Sequence, residues 1–177
     1  MSQRLIIFTR YPEPGTTKKR LVPALGADGA ARLQREMTAH TLQWARAWRS
    51  RHGGGVEVHF AGGQRRLMQS RFGADMPCRP QADGDLGQRM AEAFRTALQS
   101  GGRQVVLVGS DCPQLTVELV RTAFQRLRDH DVVLGPATDG GYYLIGLRRE
   151  APELFAEMPW GTGNVLRKTL QRAARLR

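Results

Sequence analysis

Short apolar runs alternate along the chain with stretches whose apolar residues return every third or fourth position. Leu5-Ile6-Ile7-Phe8 is a continuous apolar run, the pattern of a strand covered on both faces. Residues 12–26, rich in Pro and Gly, read as a loop. From Asp28 to Arg51 the period is helical, with Leu33, Met37, Thr41, Leu42, Ala45 and Trp48 on one side and Gly53-Gly54-Gly55 as the stop. Residues 56–61 alternate as a second strand, 64–72 suit a short helix, and 78–81 suit a short strand. Residues 88–99 are helical through Met90, Ala93, Phe94, Ala97 and Leu98, and Val105-Val106-Leu107-Val108 is the strongest buried-strand signal. The spacing then predicts a helix over 117–128 with Thr116 as N-cap, strands at 132–134 and 142–147, and helices at 152–157 and 164–174 with Thr162 capping the last.

Strands alternating with helices predict an α/β sandwich with a mostly parallel sheet, a single domain over residues 1–177 without internal repeats. Ligands in such sheets bind beyond the carboxyl ends of the strands. That draws attention to residues 9–20, 109–115 and 135–142.

Charge changes the picture only in part. The 27 Lys and Arg exceed the 16 Asp and Glu and give a net charge of +11. The cations are spread over the whole chain and are almost all Arg, and the few aromatics (7%) do not interleave with them. This favours a general preference for polyanions such as nucleotides over a specific nucleic-acid site. A nucleic-acid module remains a third hypothesis, and it requires affinity that falls steeply with salt. No apolar stretch reaches the roughly 18 residues of a membrane span, and the run at 5–8 is too short for a signal-peptide core of about 7–15. The expectation is a cytoplasmic protein. Cys78 and Cys112 form no C-x-x-C pair, and His40, His52, His59 and His130 are isolated, so neither a zinc site nor a redox dithiol is expected.

The first loop, Thr9 to Leu21, combines stiffening prolines, Gly15 and the cations Arg10, Lys18, Lys19 and Arg20. Backbone amides near Gly15 with Lys18 and Arg20 suit phosphate oxygens, although it is not a Walker A loop, and a plain solvated basic loop fits equally well. In the second loop Asp111 follows the most apolar strand, where a carboxylate suits Mg²⁺ shared with phosphates or merely caps a turn. Cys112 has no neighbouring histidine and reads as an inert thiol. In the third loop Gly140-Gly141 suits a turn or close approach of a ligand, with Asp139 offering a carboxylate to a metal or a sugar hydroxyl. Asp85 or Gly87 can simply start a helix, and residues 167–177 hold no acid, as suits a helix C-terminus.

Taken together, Phe8-Thr9-Arg10-Tyr11-Pro12-Glu13-Pro14-Gly15 with Lys18 and Arg20-Leu21, Gly84-Asp85-Leu86-Gly87-Gln88-Arg89-Met90, Gly109-Ser110-Asp111-Cys112-Pro113, Gly135-Pro136 with Asp139 to Leu147, and Trp160-Gly161-Thr162 resemble a bacterial family of GT-A-like proteins. Its members are described as glycosyltransferases or nucleotide-diphospho-sugar transferases, and it is distantly similar to molybdenum-cofactor and 2-phospholactate guanylyltransferases. The resemblance implies a three-layer α/β/α sandwich and a transferase dependent on Mg²⁺ or Mn²⁺. It implies Arg10, Gly15, Lys18 and Arg20 as phosphate contacts and Asp111 as the metal ligand. Leu86, Gly87 and Arg89 would lie near the base or ribose, and Asp139, Gly140, Gly141 and Tyr142 would face the sugar or acceptor. Lys18, Asp111 and Asp139 would carry the chemistry. Lys19 stands where the family pattern has threonine. Relatives continue past the last helix into a further strand and an acidic segment, so a second metal ligand would be missing unless Asp139 replaces it. The leading hypothesis is glycosyl transfer from a nucleoside-diphosphate sugar to an unknown acceptor. Nucleotidyl transfer from a nucleoside triphosphate, or nucleotide binding without turnover, are the alternatives.

Overall fold

The computed structural model describes residues 2–176. Its strands are β1 (Gln3–Arg10), β2 (Gly55–Ala61), β3 (Cys78–Pro80), β4 (Gln104–Gly109), β5 (Val132–Pro136) and β6 (Tyr142–Leu147). Its helices are α1 (Val22–His52), α2 (Arg65–Phe72), α3 (Leu86–Gln99), α4 (Val117–Arg126) and α5 (Val165–Ala173). The six strands hydrogen-bond in the order β3-β2-β1-β4-β6-β5, a mixed and mostly parallel sheet flanked by the helices. The strand β6 is antiparallel to both neighbours, with Leu107 opposite Ile145 and Leu134 opposite Ile145 on its other side. Leu5 to Phe8 and Val105 to Val108 are buried without alternation, so both faces of these strands are covered, as the apolar runs predict.

The chain forms two compact units. One holds Ile7–Gln81 and Gly109–Val117. The other holds the chain up to Ile6, Ala82–Val108, and the chain from Glu118 onward.

Several boundaries differ from the sequence reading. Residues 12–26 are not all loop: a 3-10 turn at Lys19–Leu21 leads directly into α1, which Pro23 helps to initiate. Gly26 then breaks the helix, with φ 70° and ψ 168°. The buried stripe of α1 also shifts. It runs through Ala30, Ala31, Gln34, Thr38, Thr41, Leu42, Trp44, Ala45 and Trp48, while Leu33 and Met37 are only half-buried. The stop is as expected: Gly53 closes α1 onto the Arg49 carbonyl, and a Cβ on Gly54 would fall 2.2 Å from the Trp48 ring. Residues 152–157 give only a 3-10 turn at Pro152–Leu154. Thr162 does not cap α5. Its hydroxyl donates to the Pro159 carbonyl, and the N-cap is Asn164, whose side chain makes no capping bond.

Candidate functional site

The unit around Ile7–Gln81 carries the cationic loop. Strand β1 extends to Arg10, which is exposed and lies over Gly62. A turn follows, in which the Thr16 and Thr17 amides both reach the Glu13 carbonyl at 3.3 Å. Gly15 takes φ +76°, a conformation that costs glycine little, and the space where a Cβ would stand is empty. Lys18 also takes the left-handed conformation, with φ 45° and ψ 45°, which a side chain rarely adopts without compensation. Its ammonium lies 3.1 Å from Asp111 Oδ1. The lysine side chain is 11% exposed and the aspartate 67%, so a covered cation holds a carboxylate that is open to solvent. Arg20 sits exposed in the 3-10 turn.

Beneath these groups lies a buried polar knot that sequence reasoning missed. Thr9 on β1, Thr38 and Gln34 on α1, and Ser110 after β4 are all buried. The Ser110 hydroxyl donates to Thr9 Oγ1 at 3.0 Å, and the Thr9 and Thr38 hydroxyls are 2.8 Å apart. Gln34 Nε2 faces Thr38 and Ser110 at 3.2 Å and Thr9 at 3.4 Å. The signal was available: Gln34, Thr38, Thr41, Ala45 and Trp48 keep helical spacing, so polar side chains stand among apolar ones on one face. Thr17, also fully buried, has a hydroxyl with no hydrogen-bond partner among the described residues.

The same unit buries Glu57 and His59 on β2, with His59 Nε2 3.5 Å from Glu57 Oε2 and Arg79 Nε 3.2 Å from the same oxygen. Cys78 is buried, and that burial pushes its thiol pKa up, while Cys112 is half-buried; both are free. Burial of this kind does not activate the Cys78 thiolate.

The second unit gathers the other motifs. Asp85 caps α3 in a reciprocal box, its carboxylate accepting from the Gln88 amide and its own amide donating to the Gln88 side chain, both at 2.8 Å. Leu86 is exposed on the first turn, and Arg89 Nε donates to the Gly84 carbonyl at 2.8 Å, closing the loop before the helix. Gly87 is a packing requirement in its own right. A Cβ there would fall 2.6 Å from the Phe155 carbonyl and 3.0 Å from Trp160 Nε1, a buried donor without a hydrogen-bond partner among the described residues.

Asp139 turns inward on its own loop, its Oδ1 accepting from the Gly141 amide at 3.0 Å. Gly140 (φ +82°) lies against Gly163, where a Cβ would approach the carbonyl oxygen to 2.3 Å, and its own carbonyl accepts from the Leu166 amide. The loops at 139–141 and 160–163 are therefore packed together. Tyr142 is largely buried; burial pushes its phenol up to about 12, against a smaller opposing pull from the Thr169 hydroxyl.

The structure thus joins Lys18 to Asp111 in one unit, and Gly87 to Trp160 and Gly140 to Gly163 in the other. Among the described residues no group of three or more His, Cys, Asp or Glu is assembled to hold a metal. Asp111 offers one solvent-open carboxylate, which suits an ion that completes its shell with phosphate oxygens and water.

Residues 41–162 match the profile of a family described as uncharacterised proteins conserved in bacteria. A crystal structure from Desulfovibrio desulfuricans G20, described as a candidate nucleotide-diphospho-sugar transferase, is 35% identical with a TM-score of 0.90. The match covers 99% of this chain and 77% of that one. A cytidylyltransferase from Leptospira borgpetersenii shares the fold at 11% identity and TM-score 0.63, over 99% of this chain and 74% of that one. A Mycobacterium tuberculosis protein solved with manganese does so at 15% identity and TM-score 0.54, over 89% and 77%. Among curated proteins none matches in sequence. No described helix is long and apolar enough to cross a membrane.

Proposed function

The chain belongs to that bacterial family, DUF2064, and from this premise we propose a transferase that binds a nucleoside-diphosphate sugar and moves the sugar to an acceptor. The observation that carries the reading is the Lys18–Asp111 pair at the end of a loop rich in cations. Lys18, Arg20 and Arg10 supply positive charge for a diphosphate, each charge-assisted bond contributing about 1.5–3 kcal/mol. Asp111 would hold a divalent ion, Mg²⁺ or Mn²⁺, arriving with the nucleotide. That ion would neutralise charge on the leaving diphosphate.

Lys18 is the group that must move. Its ammonium can serve the phosphates only by loosening its hold on Asp111, and the same movement opens the carboxylate. The sugar C1–O bond to the diphosphate breaks, the acceptor oxygen takes C1, and the acceptor's proton leaves to solvent. Cys112 is half-buried and stands next to no histidine in the chain, which favours direct transfer over a covalent enzyme intermediate. Leu86, Gly87 and Arg89 are proposed as contacts for a base or ribose, and Asp139, Gly140, Gly141 and Tyr142 as contacts for a sugar or acceptor. Trp160 Nε1, beside Gly87, joins the first group as a donor in need of an acceptor. The donors would be cytoplasmic nucleotides.

Nucleotidyl transfer from a nucleoside triphosphate is the second reading, favoured by the fold shared with the Leptospira cytidylyltransferase. Both readings use the same phosphate loop, and product analysis separates them: release of nucleoside diphosphate marks glycosyl transfer, release of pyrophosphate marks nucleotidyl transfer.

The test is a thermal-shift series with nucleoside triphosphates and nucleoside-diphosphate sugars, with and without Mg²⁺ or Mn²⁺. A ligand at 100 times its Kd stabilises by about 2.7 kcal/mol, which raises Tm by roughly 5–10 °C for a chain of this size. The expected result is a metal-dependent shift for one nucleotide class, lost in Asp111→Asn while the variant's own Tm is unchanged. An equal shift in Asp111→Asn removes the aspartate from the site.

A further inference from the structure

A cationic groove stands in the unit that does not contain Lys18 and Asp111. At the N-terminal end of β4, between the end of α3 and the segment after β6, lies a groove of about 520 Å³. Its walls carry Gln99, Arg103, Arg148, Arg149 and Glu150, with Gly102 beneath. The volume falls in the range of small-molecule sites, roughly 300–1,000 Å³, and is far larger than an isolated oxyanion needs.

The cations in it are arranged rather than scattered. Arg148 Nη1 donates to the Arg128 carbonyl at 2.9 Å, which fixes one edge of the guanidinium and leaves its other donors available. Arg149 Nε is 3.2 Å from Asp131 Oδ2. Arg103 is anchored by its backbone, whose amide donates to the Ser2 carbonyl at 2.9 Å. Its exposed side chain makes no hydrogen bond or ion pair among the described residues. The bend that brings Arg103 to the groove needs Gly101, at φ +92°, and Gly102, where a Cβ would meet the Ala97 carbonyl at 2.7 Å.

One carboxylate shares the groove: Glu150, whose Oε1 accepts from Gln99 Nε2 at 3.1 Å. With Asp131 opposite Arg149, the positive charge still exceeds the negative. A carboxylate beside a phosphate would repel it, but the same carboxylate accepts from hydroxyl groups, and Gln99 adds an amide to the same wall. The groove therefore combines donors for a phosphate with an acceptor for neighbouring hydroxyls.

We propose that this groove binds a sugar phosphate, its phosphate on Arg103 and Arg148 and its hydroxyls on Glu150 and Gln99. The proposal does not rest on the transferase reading. It is tested by titrating the ¹⁵N-labelled chain carrying Lys18→Ala, which weakens the other phosphate loop, with ribose 5-phosphate and, separately, with inorganic phosphate. Amides of residues 99–103 and 148–150 should shift saturably with ribose 5-phosphate and at least tenfold more weakly with inorganic phosphate. Adding Arg103→Ala and Arg148→Ala should weaken ribose 5-phosphate at least tenfold, with the rest of the spectrum unchanged. Arg103→Gln alone should weaken it in the same direction. Absence of saturable shifts, or equal binding by the substituted chain, overturns the site. Equal affinity for inorganic phosphate overturns its assignment to a sugar. Shifts with a short DNA duplex but not with ribose 5-phosphate would make the groove a nucleic-acid face and overturn the proposal.

Discussion

The Lys18 ammonium sits 3.1 Å from Asp111 Oδ1 while the lysine backbone occupies the left-handed region. A lysine in that conformation costs about 1–2 kcal/mol, and the pair is too open on the aspartate side to return much, since such pairs contribute about 0–1 kcal/mol. Under the proposed function the arrangement acts on binding. In the unliganded chain Lys18 occupies the carboxylate that a divalent ion would use. Lys18→Ala is therefore expected to weaken nucleotide binding by roughly 10- to 100-fold, from the loss of one charge-assisted contact. The same change should strengthen binding of Mn²⁺ alone. Calorimetry with each ligand separately checks both signs, and weakened Mn²⁺ binding would contradict the competition.

The knot of Thr9, Gln34, Thr38 and Ser110 ties α1 to the ends of β1 and β4, directly before Arg10 and Asp111 in the chain. Gln34→Leu leaves buried hydroxyls with fewer partners, at a cost of about 1–3 kcal/mol. Thermal unfolding should show a Tm drop of roughly 2–10 °C. Gln34→Glu is expected to be worse, because it would bury a charge among hydroxyls without a counter-ion.

Gly140 and Gly15 share a left-handed backbone but differ in surroundings. A Cβ at Gly140 falls on the Gly163 backbone, whereas a Cβ at Gly15 meets open space. Gly140→Ala should cost about 2–4 kcal/mol, strain and overlap together, and Gly15→Ala only about 1 kcal/mol. Denaturant midpoints of the two variants check the order. Equal losses would mean that the loops at 139–141 and 160–163 separate easily.

Tyr142 makes stability fall at alkaline pH. Its folded pKa, about 12, lies above the ordinary value of 10, because burial disfavours the phenolate. The resulting stabilisation is fully present below pH 10 and is lost as the pH rises from there to about 12. In Tyr142→Phe that part of the alkaline decline should disappear, while stability near neutral pH stays close to the wild type, because the hydroxyl makes no well-formed hydrogen bond. Tm measured between pH 9 and 12 in both forms decides.

Asp75 acts at the other end of the scale. The Arg46 guanidinium hydrogen-bonds its carboxylate and holds it below the ordinary value of 3.8. Its contribution is present above the unfolded pKa and lost as the pH falls through the lower folded one. The pair is partly exposed, so the effect is small; Asp75→Asn should flatten the acid limb of the unfolding profile without moving the alkaline one.

Strands β1 and β4 were legible because each is buried on both faces and reads as an unbroken apolar run, Leu5 to Phe8 and Val105 to Val108, whereas β2 was legible from alternation although its polar positions Glu57 and His59 are buried too. The start of α1 was not. Leu21, Val22, Pro23, Ala24 and Leu25 are apolar without being buried, so periodicity had nothing to follow, and Gly26 hid the continuity. Asp111 and Lys18 were legible as neighbours of strand ends, but their ion pair spans 93 positions of the chain and no local rule reports it. Thr162 failed as a cap because the loop before α5 folds back on Pro159. The helical spacing puts Gln34 on the face of Thr38, Thr41 and Trp48, but the spacing alone does not name the Thr9 and Ser110 hydroxyls that meet it.

Gly26 divides α1 into a short exposed turn and a long rod with one buried face, and its dihedral angles interrupt the helix between them. Cooperative protection cannot pass through such an interruption. The turn that follows Lys18 therefore opens at the cost of its own few contacts, while the rod through Trp48 opens only with the core. In hydrogen exchange the amides of residues 19–25 should behave as a fast, independent group beside the slow amides of residues 34–48. The segment that adjoins the cationic loop can therefore rearrange without loosening the helix that carries Gln34 and Thr38.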